Sequence, residues 1–322
     1  MDYFNKIGIS YTGDYIIQGS NVDKCLKSEK LSSKYTELMV RKDGKELDEE
    51  SINKIYHGTL LYHLPTLRYD LSNLKQITNF VMTLVKNGVK YATIDASILP
   101  LDVYDWSTME EQQDYIKTLS NGFAQLISNG ITLLIENVKD DNNISYFGKR
   151  VENLSDILMY TRNTLIKNYD YSRDKANESI GVSFNVTKLY ENINEYSKWF
   201  TILGNNIKVV KVTDVDNAVS IFDGILTKSL EANIDPIILL QIDKEIEEVN
   251  KKYRKFEYLV NLKRNEKPMT LDNYTEINEK NNEDEYDFST SNQSGYSSVV
   301  IISMIVITIL IAIIMLYFKF RD

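Results

Sequence analysis

The sequence predicts an α/β fold: a (β/α)8 barrel followed by a disordered linker and one C-terminal transmembrane helix. Two observations point to the barrel. Over the first 265 residues, apolar runs of four to six residues alternate with longer amphipathic stretches, the pattern of a parallel sheet covered by helices. Eight such runs fall in that length, the number that closes a single barrel. The third observation is the stretch VVIISMIVITILIAIIMLYF at 299–318, interrupted only by Ser303 and Thr308. A helix of that length, rising about 1.5 Å per residue, spans roughly 30 Å, the hydrocarbon thickness of a bilayer.

The expected strands are 6–11 (KIGISY), 59–64 (TLLYHL), 90–96 (KYATIDA), 131–138 (ITLLIENV), 180–186 (IGVSFNV), 207–213 (IKVVKVT), a weaker one at 218–221, and 236–242 (PIILLQI). Helices are expected between them. One covers 71–86, with Ser72 capping its first turn and Asn87-Gly88 stopping it; another covers 109–128 and stops at Asn129-Gly130. Glycine suits both stops because it accepts the left-handed conformation that ends a helix. Asp48 stands where it would cap a short helix over 49–56, and 244–265 supplies the helix that closes the barrel.

The expected domains are the barrel over 1–265, an acidic disordered linker over 266–298, the membrane helix over 299–318 and a short basic tail over 319–322. The linker carries net −6 of the chain's −9, and its few apolar side chains cannot offset the entropy cost of folding. The N-terminus has no basic region followed by an apolar one, so the large domain is expected in the cytosol, tail-anchored to the lipid bilayer through 299–318. Lys319 and Arg321 favour the reverse orientation by positive-inside counting, but moving a folded domain across without a signal is the harder event. The single cysteine, Cys25, excludes an intramolecular disulfide and any CxxC metal site. No basic groove is evident, so nucleic acid is not expected as a partner.

At 38–73, LMVRKDGKELDEESINKIYHGTLLYHLPTLRYDLSN, the chain resembles the endonuclease IV branch of the xylose isomerase-like TIM barrels. In that family a segment of this layout runs from the first helix through the second strand to a metal-binding histidine, a short Pro-containing loop and an Asn. The resemblance continues through ITLLIEN at 131–137, IGVSFNVTK at 180–188 and KVVKVTD at 208–214. It implies that His63 matches the second-strand histidine ligand and Glu136 the fourth-strand glutamate that bridges metals. The other positions differ. Asp95 stands where the third strand has histidine, Asn185 where the fifth has aspartate, and Lys188 where the next histidine is expected. Lys211 replaces the sixth-strand histidine, Gln241 replaces the closing glutamate, and the family's later Asp-X-His loop has no counterpart after Asp214.

A multinuclear zinc site needs neutral imidazoles and carboxylates, whereas an ammonium has no lone pair and repels the ion. With lysine at two ligand positions the family's metal cluster and its DNA-repair nuclease activity are not expected. Asp95, Glu136 and His63 still comprise oxygen and nitrogen ligands for one Mg²⁺ or Mn²⁺ ion. Strand parity puts Thr59, Leu61 and His63 on one face, as it does Tyr91, Thr93 and Asp95, Gly181, Ser183 and Asn185, and Leu239 and Gln241. If each C-terminal member points into the barrel mouth, His63, Asp95, Glu136, Asn185, Lys211 and Gln241 form a polar ring there, either a hydrogen-bonded plug with Lys211 paired to Glu136 or Asp95, or a working pocket.

The preferred functional reading is a metal-depleted pseudoenzyme, a binding or scaffold module for a protein or small-molecule ligand. The alternative is a sugar or sugar-phosphate isomerase or epimerase using Glu136 and Asp95 as acid and base, with His63 or Lys211 orienting the substrate. A Schiff-base role for Lys211 is a further possibility that nearby carboxylates oppose. His57 reads as a surface or capping residue, and Trp106 and Trp199 as packing residues.

Overall fold

The computed structural model describes residues 3–11, 35–39, 61–68, 70–96, 109–139, 147–212, 219–242 and 246–265. The chain divides into two compact units, 1–269 and 270–322, and the described residues all belong to the first. Eight parallel strands close into a barrel in chain order: β1 (Ile7–Tyr11), β2 (Tyr35–Met39), β3 (Leu61–His63), β4 (Tyr91–Asp95), β5 (Thr132–Glu136), β6 (Ile180–Asn185), β7 (Ile207–Val212) and β8 (Ile237–Ile242), with β8 returning to pair β1. Closure leaves no unpaired strand edge.

The described helices are α1 (Leu74–Lys86), α2 (Met109–Ile127), α3 (Val151–Asn168), α4 (Arg173–Ser179), α5 (Tyr196–Leu203), α6 (Val219–Glu231) and α7 (Ile246–Arg264). They carry their apolar stripes onto the sheet. In α1 the buried residues are Ile77, Phe80, Val81 and Leu84, the spacing of one helical face. Phe184 on β6 stacks on Trp199 of α5 at 4.8 Å between ring centroids, so Trp199 is a packing residue as its sequence context implied. Asn87-Gly88 and Asn129-Gly130 do end α1 and α2, with Gly88 and Gly130 at φ +80° and +97°.

Two expected elements are corrected. Of the strand expected at 218–221, residues 219–221 are helical instead: Val219 opens α6, whose Phe222, Ile225, Leu226, Ser229 and Leu230 are buried and repeat with the helical, not the strand, period. The missing strand is β2, in a segment to which no strand was assigned. Glu, Leu and Met within YTELM favour helix intrinsically, and a central glutamate breaks the apolar run. The count of eight was right through one omission and one excess. Every strand from β3 to β7 therefore stands one place later than the resemblance numbered it, so His63 lies on the third strand and Lys211 on the seventh. A smaller correction concerns α1, which starts at Leu74; Ser72 does not cap it, and its amide instead donates to Asp70 Oδ1 at 3.0 Å.

The short helix expected at 49–56, with Asp48, His57, Cys25 and Trp106, lies outside the described residues, as do Asp214 and the whole of 266–322. Among the described residues no helix is long and apolar enough to cross a membrane.

Candidate functional site

The barrel interior is built in two storeys. Leu61, Leu134, Val209, Ile237 and Leu239 form a buried apolar floor, with Tyr35 and Tyr91 packed against it. Side chains on a strand return to the same face after two residues, so the next inward positions are Glu37, His63, Thr93, Glu136, Lys211 and Gln241. Here the lining turns polar and charged. Glu37, Lys211, Glu136 and His63 are 0, 1, 2 and 4% exposed.

Lys211 holds the centre. Its ammonium lies 2.7 and 2.6 Å from the two oxygens of Glu37 and in closer contact with Glu136 Oε2. A second ammonium comes from Lys188, on the 3-10 segment Val186–Glu195 that follows β6. It lies 2.8 Å from Asp95 Oδ1 and 2.8 Å from Glu136 Oε1. Glu136 thus bridges two cations, one on each oxygen. Neutral donors complete the shell. Ser10 and Thr93 hydroxyls donate to Glu37, the Ser183 hydroxyl and the Asn185 side-chain amide to Glu136, and the Thr66 hydroxyl to Asp95. Asn185 also donates to Gln241 Oε1 at 2.9 Å and is held by Asn137, which accepts from the Asn185 amide and donates to its carbonyl.

Burial by itself would raise the carboxyl of Glu136, but Lys188 and Lys211 outweigh it and hold Glu136 well below the usual carboxylate range. Asp95 follows the same logic: burial opposes ionisation, and Lys188 and then His63 overcome it. For Lys211 and Lys188 burial pushes down, while Glu136 with Glu37, and Glu136 with Asp95, push further up. The cluster is a set of fixed charges. Lys211 is not the free amine that a Schiff base requires, which removes that alternative.

His63 is the exception to this pairing. Its Nδ1 is buried with no hydrogen-bond partner, 3.7 Å from Glu136 Oε2 and 3.9 Å from Glu37 Oε1, while Nε2 lies 3.8 Å from Asp95 Oδ2. Glu37, His63 and Glu136 each offer a ligand atom, all within 4.8 Å of one another, a group that could hold a metal ion. The distances fit; the charge does not. At an effective dielectric of about 20, two unit charges roughly 4 Å apart interact by about 4 kcal/mol, so a dication would repel the Lys211 ammonium by roughly twice that. With Lys211 in place, the carboxylate oxygens that a metal would use are already taken by a cation of this chain.

The structure brings together His63, Asp95, Glu136, Asn185, Lys188, Lys211 and Gln241, all read from the sequence as candidates. Lys211 pairs with Glu136 as expected but not with Asp95, which takes Lys188 instead. The third member of the potential metal group, beside His63 and Glu136, is Glu37 in place of Asp95. Glu37 was missed because its strand was missed. The signal lay in the alternation of Tyr35, Glu37 and Met39 with Thr36 and Leu38, too short to stand out in sequence.

No protein-family model matches the chain, and no curated protein matches its sequence. Its fold is nevertheless that of the xylose isomerase-like TIM barrels, as the resemblance implied. A putative xylose isomerase from Rhodospirillum rubrum superposes with a TM-score of 0.58 at 8% identity, over 79% of this chain and 98% of that one. A D-tagatose 3-epimerase-like protein gives 0.54 at 14% identity, over 80% and 97%, and an L-ribulose 3-epimerase gives 0.53 at 11%, over 88% and 99%. Identities this low establish the architecture alone.

Proposed function

We propose that this protein is a metal-independent pseudoenzyme: a xylose isomerase-like barrel kept as a binding or scaffold module and tail-anchored to a membrane. One observation carries the reading. The Lys211 ammonium is buried between Glu37 and Glu136, where its charge opposes a divalent ion and its pairing occupies the carboxylate oxygens that the ion would use. The anchor is supported by the apolar stretch 299–318, and 266–298 has the acidic composition of a tether. On this reading the barrel faces the cytosol and meets a protein or small-molecule ligand there, with no role for nucleic acid.

A second reading, a sugar or sugar-phosphate isomerase or epimerase, draws on the unpartnered His63 Nδ1 and on the epimerases among the structural neighbours. It would use Glu136 and Asp95 as acid and base. General acid–base catalysis works best when the catalytic group titrates near the working pH, and both carboxylates are held far below it. The charges that support the module weaken the enzyme.

The test is metal analysis and ligand-dependent melting of the detergent-solubilised full-length chain against a panel of sugars and sugar phosphates. The module reading expects no stoichiometric divalent metal, no sugar turnover and no nicking of abasic-site DNA. Turnover of any panel member, or metal-dependent nicking, would replace it with an enzyme.

A further inference from the structure

We propose that the Lys211 ammonium is a built-in substitute for a divalent ion, and that removing it uncovers a cation site made by Glu37, His63 and Glu136. The inference starts from the mismatch between geometry and charge. Three ligand atoms from strands β2, β3 and β5 lie within 4.8 Å of one another, which suits a shared ion. The oxygens of two of them converge on the Lys211 ammonium. The third, His63 Nδ1, is buried and has no hydrogen-bond partner. A metal ion would take that nitrogen as well as the carboxylates.

Charge balance points the same way. Lys188 offsets Asp95 and the outer oxygen of Glu136. Without Lys211, three carboxylates would face one ammonium, an excess of two negative charges that one dication would neutralise. The side chain of Lys211 also reaches into the barrel from β7, so its truncation opens the volume in which an ion and its remaining water ligands would sit. Glu37 is essential to this site, and it is not among the positions at which the sequence resemblance placed ligands.

The experiment uses the full-length chain, stripped with chelator and titrated with Mn²⁺, with bound Mn²⁺ read by electron paramagnetic resonance and stability by thermal melting. Wild type is expected to bind no stoichiometric Mn²⁺ and to melt at one temperature with or without it. Lys211→Ala is expected to melt lower in chelator, to bind roughly one Mn²⁺ per chain and to regain most of the lost melting temperature at saturation. The double variant Lys211→Ala with Glu37→Gln is expected to bind Mn²⁺ at least about tenfold more weakly, having lost a ligand, and to melt higher in chelator than Lys211→Ala alone. A Lys211→Ala chain that folds and ignores Mn²⁺ overturns the inference, as does one that stays unfolded in saturating Mn²⁺ or a double variant that binds as tightly as the single. The inference rests on the metal-independent reading of the site, and the two fail differently. Mn²⁺ bound stoichiometrically by wild type sinks both, whereas a Mn²⁺-blind Lys211→Ala leaves the metal-free module standing.

Discussion

Lys211 and Glu37 are 174 positions apart in sequence, and their pairing decides what the barrel can do. A buried ion pair adds little net stability compared with apolar residues of the same volume, yet breaking it by removing one partner costs about 3–5 kcal/mol. Lys211→Met should therefore destabilise the protein by roughly that amount in urea unfolding, and adding Glu37→Gln should recover part of the loss, a coupling of about 0.5–3 kcal/mol. Additive effects would show that the two side chains act independently. The pH dependence follows from the same cluster. Glu136 and Asp95 titrate lower in the folded chain than their ordinary values, so their stabilisation is present above about pH 4 to 5 and is lost as pH falls further. Lys188 and Lys211 titrate higher than usual, so theirs is present below about pH 10 and is lost as pH rises beyond it. Urea midpoints should be flat between these limits and fall on either side. A midpoint that declines steadily between pH 5 and 9 would contradict the pairing of these four side chains. At this scale strand parity was enough to read His63, Asp95, Asn185 and Gln241 as the C-terminal members of their strand faces, and the resemblance added Glu136 and Lys211. Which carboxylate each lysine takes was not, because Asp95 and Glu37 come from strands whose relative positions only the closed barrel sets.

Elements were legible where their periodicity was strong and their ends were punctuated. Gly130, at φ +97°, sits between α2 and β5 in a conformation that costs an L-residue roughly 1–2 kcal/mol. Gly130→Ala should lower stability by that amount without altering the far-UV circular dichroism of the fold. Gly181 on β6 is constrained differently. A Cβ there would stand 2.6 Å from Lys208 Cγ and 3.0 Å from the Asn206 carbonyl oxygen, beside the register shift at Val182 and Ser183 that joins β6 to β7. Gly181→Ala should cost about 1–3 kcal/mol through overpacking, and an unchanged melting temperature would mean that the β6–β7 junction yields easily. Strand β2 was illegible for a different reason. A five-residue strand with an inward glutamate has neither a sustained apolar run nor enough length to outvote the helix propensities of its residues. Helix α6 produced the opposite error, since the four residues at its start look strand-like until Ile225, Leu226 and Leu230 extend the stripe.

At the scale of the whole molecule, the barrel and the C-terminal segment lead to separate expectations. The thirty-three residues of 266–298, treated as a random coil, give a root-mean-square reach of roughly 30 Å. Protease added to the cytosolic side of intact membranes should release a fragment containing the barrel by cutting within 266–298, while alkaline carbonate should leave the full-length chain in the membrane. A barrel protected from that protease, or glycan on Asn185-Val186-Thr187 or another sequon, would reverse the orientation in line with the positive-inside count of Lys319 and Arg321.

By itself the sequence determined the parallel α/β architecture, because strand and helix periods are local properties written into each segment, and it placed lysine, asparagine or glutamine where the resemblance expects ligands. It also determined the apolar C-terminal stretch, a matter of length and composition alone. Only the tertiary structure decided that Glu37 joins the site, that Asp95 belongs to Lys188, and that Glu136 is shared between two ammonium groups. Those are contacts across a closed barrel. They depend on the register and order of all eight strands, and in a buried interior every charge must find its partner from whichever strand brings one within reach.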